Sequence, residues 1–113
     1  EVGKRTGTHM IQIEQIREYY DRDMILFTNH ALERIRQRGI KSKDIKTCIM
    51  SGEIIEQYPD DYPFPSCLIY GADASGKIIH VVASDEGNVS RIITAYYPNT
   101  EKFETDLKTR KGR

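Results

Sequence analysis

A chain of 113 residues with 38% hydrophobic and 30% charged content has room for one domain around a single core. Its 17 basic residues balance 17 acidic ones, which is not the composition of a strongly basic nucleic-acid binder. No apolar run approaches the roughly 18 residues of a membrane span, and the opening does not read as a signal peptide, so a cytoplasmic protein without a membrane partner is expected.

Residues 1–9 are polar and aperiodic and end on His9 before Met10, the dipeptide a cloning site leaves. They read as an expression-tag remnant, with the native chain starting at Met10. Setting aside Glu1, Lys4 and Arg5 leaves a net charge of −1. Ile13, Ile16 and Tyr20 then recur at helical spacing, predicting an amphipathic helix over 11–20. The apolar stretch 24–27 is either a strand or a buried connector. Thr28 is placed to cap a second helix, with Phe27 and Leu32 as a hydrophobic staple across that cap. This helix runs to Arg38, where Gly39 supplies a left-handed stop. Ser42 is the expected cap of a third helix that carries Ile45, Cys48 and Ile49 on one face and ends at Gly52.

The composition changes at Glu53. Runs rich in β-branched and aromatic residues over 54–58, 67–72, 78–84 and 91–97 predict four strands. Turn residues over 73–76 and 85–88 join the last three as hairpins. The fold class is therefore α+β, with N-terminal helices packed on a twisted four-stranded antiparallel sheet. A single domain over 10–98 is followed by a polar tail over 99–113, its last four residues loose. Cys48 and Cys67 have no metal-ligand spacing and are read as two buried free thiols, suited to a reducing cytosol.

Chemistry concentrates on the second helix. His30, Arg34 and Arg38 follow at i, i+4 and i+8, a stripe beside the apolar arc of Ala31, Leu32 and Ile35. His30 falls in the first turn, where the helix dipole disfavours imidazolium. An imidazole beside two guanidiniums suits a phosphate with a built-in base, and the same arginines also suit a solvated helix flank. His80 shares a strand face with Ile78 and Val82, so it needs a hydrogen-bond partner or an open groove. Arg91 and Tyr96 are an odd number of residues apart on the last strand, which predicts opposite faces; Tyr96 is a candidate proton donor. No metal site, cofactor motif or nucleophile elbow is legible. The segment 34–46 holds six basic residues and one acidic, whereas 53–61 holds four acidic and none basic.

His30-Ala31-Leu32-Glu33-Arg34, Arg38-Gly39-Ile40, Gly52-Glu53-Ile54-Ile55, Tyr58-Pro59, Ile79-His80-Val81-Val82 and Thr94-Ala95-Tyr96 follow one another in a familiar order. The string, over 27–98, resembles a bacterial domain-of-unknown-function family related to the RelE/ParE and BrnT toxins. That resemblance implies a helix–helix–sheet domain and a type II toxin. Its activity would be a metal-independent endoribonuclease cleaving mRNA, free or on the ribosome, with no cofactor. It also implies a cognate antitoxin as partner, of the MqsA zinc-finger type. The matching polar positions are His30, Arg34, Arg38, His80 and Tyr96. His30 or His80 would serve as base or acid, the arginines as charge stabilisers. The alternative is a non-catalytic toxin-fold module acting by protein binding, as ParE-type relatives act on gyrase. The neutral charge departs from the strongly basic ribosome-dependent relatives.

Overall fold

The computed structural model of the chain describes residues 10–112, so the expected tag remnant lies outside the described residues. Its elements run α1 (Ile13–Asp21), β1 (Ile25–Phe27), α2 (Asn29–Gln37), α3 (Ser42–Ser51), β2 (Glu53–Tyr58), β3 (Ser66–Ala72), β4 (Ile78–Ser84) and β5 (Ser90–Tyr96). None of the described helices is long and apolar enough to cross a membrane.

The four expected strands pair antiparallel in chain order, β2 to β5, because their short connections allow hairpins and not crossovers. The sheet nevertheless has a fifth member. β1 lies along the outer edge of β5 in parallel register, Ile25 opposite Ser90 and Phe27 opposite Ile92. The expected four-stranded antiparallel sheet is thus corrected to a five-stranded mixed sheet of order β1-β5-β4-β3-β2. Parallel neighbours need a long connection, and the whole stretch from α2 to β4 supplies one. A three-residue strand has too little sequence for its period to show.

The helices cover one face. Thr28 caps α2 as expected, its hydroxyl accepting from the Ala31 amide at 2.8 Å, and Gly39 turns the chain away with φ +70°. The third helix begins differently. Its cap is Lys41 rather than Ser42, because the Asp44 carboxylate accepts from the Lys41 amide at 2.9 Å and does the capping from inside the first turn. The same carboxylate takes the Ala74 amide at 3.0 Å, tying α3 to the β3–β4 turn. At the other end of α3, Arg17 of α1 donates to the Ile49 and Gly52 carbonyls, both at 2.9 Å. A cation thus satisfies the helix C-terminus from outside.

Between helices and sheet lie Ile16, Ile45, Ile49, Ile69, Ile79 and Val81, all fully buried. Each contributes on the order of 1.5–3 kcal/mol by leaving water. Cys48 and Cys67 join them as buried free thiols. Burial pushes both thiols up to about 12, so neither presents a thiolate at neutral pH.

Two departures shape the opposite face of the sheet. Val82 pairs with Thr94 but Ala83 pairs with Ile92, so Ile93 is an extra residue in β5. That bulge inverts the alternation, and Arg91 and Tyr96 share the face away from the helices instead of facing opposite ways. The tail is the second departure. Of the last four residues, expected to be loose, Arg110 and Lys111 are held: the tail closes on itself through a Phe103–Arg110 bridge and Lys111 N–H to Lys102 carbonyl at 2.9 Å. It then lies over the sheet with Phe103 only 2% exposed.

Candidate functional site

Register alone assembles the site. Tyr70 of β3 stands opposite His80 of β4, and His80 opposite Tyr96 of β5, so three polar rings form a row across the sheet face that the helices leave free. His80 lies on that face with Ile78 and Val82, as alternation predicts. It is completely buried, and both ring nitrogens are engaged. Nε2 donates to the Leu107 carbonyl at 2.7 Å, which leaves Nδ1 to accept from the Tyr96 hydroxyl at 3.3 Å. The tautomer assigned here follows from these partners. Phe103 closes the ring from above, edge-on at 4.8 Å between centroids.

Burial drives the electrostatics of this pair. Desolvation lowers the His80 pKa below its ordinary 6.5, with Arg110 acting in the same direction and the Leu107 carbonyl and Glu56 opposing. Burial also raises the Tyr96 phenol above 10, helped by Glu56 and opposed by Arg110 and Arg38. Both rings are neutral at pH 7. The linkage has a definite sign. Below 6.5 the unfolded chain binds a proton that folded His80 declines, so stability is full above that value. It is lost as pH falls from there through the folded value. The urea midpoint should therefore drop between about pH 7.5 and about pH 5.5, and the drop should shrink in His80→Gln.

Beside this row an open groove of about 600 Å³ is lined by Arg38, Tyr96, Lys102, Phe103 and Arg110 among others. Arg38 reaches it by an indirect route. β1 stops at the level of Ile92, so beyond it the outer edge of β5 carries no neighbouring strand. Arg38, at the C-terminal cap of α2, fills that gap, donating from Nη1 to the Ala95 carbonyl at 2.8 Å and to Thr94 Oγ1 at 3.4 Å. The rest of its fork keeps donors for an anion. Arg110 crosses the Phe103 ring at 4.8 Å and pairs with Glu56 at 2.9 Å.

Of the residues singled out by sequence, Arg38 and Tyr96 thus share one groove, with His80 directly behind Tyr96. His30 and Arg34 do not line it. The stripe runs along the helix axis, and eight residues at 1.5 Å each separate His30 from Arg38 by about 12 Å. His30 is exposed and Arg34 half-buried, so of the stripe only its C-terminal end, Arg38, reaches this groove. Sequence reasoning missed Tyr70, Lys102, Phe103 and Arg110. Tyr70 was within reach, since the tight β3–β4 turn fixes which residue faces His80; the other three sit on a tail without periodicity. Among the described residues no three His, Cys, Asp or Glu side chains converge as a metal site.

Comparison with known proteins adds a family and no activity. The sequence model of a family described as "Domain of unknown function (DUF4258)" matches residues 27–97. No curated protein and no solved structure matches the chain. The matched segment runs from the last residue of β1 through the end of β5 and leaves α1 and the tail outside. On that match the chain belongs to the DUF4258 family.

Proposed function

We propose that this chain is the toxin of a type II toxin–antitoxin pair, a RelE/ParE-like domain that cleaves RNA at the groove between Arg38, Tyr96 and Arg110. One observation carries the reading. Residues from the end of α2, the end of β5 and the tail converge on a single groove that offers cations, a phenol and an aromatic ring. Those are the groups a phosphodiester and its bases require. The two helices α2 and α3 followed by the antiparallel strands also agree with the helix–helix–sheet domain the resemblance implies.

The chemistry is attack of an RNA 2′-oxygen on the adjacent phosphorus: the P–O2′ bond forms and the P–O5′ bond breaks. The proton lost by the 2′-hydroxyl and the one gained by the departing 5′-oxygen are exchanged with solvent. Arg38 is placed to stabilise the charge that grows on phosphorus. Tyr96 gives its phenolic proton to His80 Nδ1, which turns its oxygen to accept from the 2′-hydroxyl. The cognate antitoxin, a zinc-finger protein of the MqsA type by the resemblance, is the expected inhibitor. On this reading the RNA's own hydroxyl is the nucleophile, so cleavage should survive EDTA and leave 2′,3′-cyclic phosphate ends. End-group analysis of a labelled oligonucleotide with and without EDTA checks this.

A second reading has its own observation. His80 is completely buried with both nitrogens occupied, so no imidazole stands free in the groove as a base. That favours a toxin-fold module that acts by binding a protein. Growth arrest on induction without new RNA ends would select it; arrest with cyclic-phosphate ends selects the ribonuclease.

A further inference from the structure

We infer that residues 99–111 form a strap that holds His80 out of reach, and that lifting this strap is the step that admits the RNA phosphate to the Tyr70–His80–Tyr96 row. The second half of this inference rests on the ribonuclease reading; the first does not.

The strap is built to move as a unit. Its backbone bonds close on itself, Glu104 N–H to Thr109 carbonyl at 2.7 Å and Lys111 N–H to Lys102 carbonyl at 2.9 Å. Asp106 fastens the tip, accepting from the Lys108 and Thr109 amides. It belongs to none of the sheet's paired strands. What holds it down is side chains and one carbonyl. Phe103 packs on the His80 ring and the Leu107 carbonyl takes His80 Nε2–H. Lys108 pairs with Glu53 at 2.7 Å and lies over Tyr70 at 4.8 Å; Arg110 pairs with Glu56. The first of these ion pairs is exposed, and salt weakens such contacts.

What lies beneath is the chemistry. Tyr70, His80 and Tyr96 face the strap from three adjacent strands, with Glu56 beside them from the fourth. A buried histidine in a row of tyrosines is an odd way to fill a sheet face; an apolar side chain would need no partner. The family match adds an independent point. Every residue of the row lies within 27–97, and the strap begins beyond it. The strap also carries Lys108 and Arg110 to an acidic strand, the very cations that a phosphate would recruit once the strap lifts. The groove at Arg38 is then the entry side of the closed state; its Lys102, Phe103 and Arg110 belong to the strap and swing with it, leaving Arg38 and Tyr96 as its fixed wall.

The test weakens the strap and reads His80 directly. Lys108→Ala removes the Glu53 pairing and leaves the groove lining intact; Phe103→Ala removes the anchor but also a groove-lining ring, so it is read by labelling alone. Reaction of each histidine with diethyl pyrocarbonate is followed by peptide mass spectrometry, beside cleavage of a labelled RNA. In the parent, His80 should react at least 10-fold more slowly than exposed His30, and both variants should erase most of that difference while RNA cleavage rises several-fold in Lys108→Ala. His80 reacting as fast as His30 in the parent, or staying protected in a folded Phe103→Ala chain, overturns the strap. Faster labelling with cleavage present but unchanged overturns its control of the reaction. Faster labelling with no cleavage by parent or variant retires the ribonuclease reading and supports the strap as a cover.

Discussion

Gly71→Ala and Gly52→Ala are each expected to lower stability by roughly 1–3 kcal/mol or more, the scale of overpacking in a core that has no slack. The two glycines flank one atom. A Cβ on Gly71 would stand 2.6 Å from the Cys48 carbonyl oxygen and 3.0 Å from its sulfur. A Cβ on Gly52 would stand 2.5 Å from that same oxygen and 2.3 Å from the Tyr70 carbonyl oxygen. These neighbours are mainly backbone, so relief requires α3 to move off β3, and α3 carries the fully buried Ile45 and Ile49. Against a total of roughly 5–15 kcal/mol for a domain, either change is a large fraction. Urea unfolding should show a lower midpoint at unchanged slope. Because Gly71 follows Tyr70, a displaced β3 should also loosen the ring row, visible as faster amide exchange at His80.

Arg38→Ala is expected to reduce RNA cleavage on the order of 10²-fold, the scale of a lost electrostatic group at a reacting phosphate. Binding of a phosphate-bearing oligonucleotide should weaken by about 1.5–3 kcal/mol, the usual worth of a charge-assisted contact. Arg38→Lys should recover only part of this, since a point charge cannot serve the Ala95 carbonyl and a phosphate in the fork geometry. Arg34→Ala and His30→Ala provide the contrast. Neither residue lines the groove, so both variants should stay within a few-fold of the parent. A reading from helix spacing alone would have ranked all three together.

That contrast locates what the sequence makes legible. Turn chemistry at Asp73–Gly76 announces the β3–β4 hairpin, and period-two alternation puts His80 on the face with Ile78 and Val82. Helix boundaries follow from Thr28 and Gly39 because capping is local. Long-range facts are harder. The bulge at Ile93 has no local mark in a run of β-branched residues, yet it moves Arg91 to the face of Tyr96. β1 is three residues long and finds its partner 65 positions away, Ile25 on Ser90. The tail reads as polar and aperiodic, and only Phe103 and Leu107 hint that it has a side to bury. Its cover over His80 depends on a carbonyl, which every residue has and no sequence singles out. Arg38, His80 and Tyr96 are thus legible as candidates, and their grouping with one another and with Tyr70, Phe103 and Arg110 is not, because a strand edge, a bulge and a strap decide it.

The most direct test of the account is the double variant Arg38→Ala/Tyr96→Phe, purified and set against the parent on one labelled RNA, with unfolding midpoints measured in parallel. Tyr96→Phe removes the hydroxyl while keeping the ring against His80. The account predicts a folded protein whose cleavage and growth arrest fall by at least 10²-fold together. A folded double variant that cuts RNA and arrests growth as the parent does would contradict it.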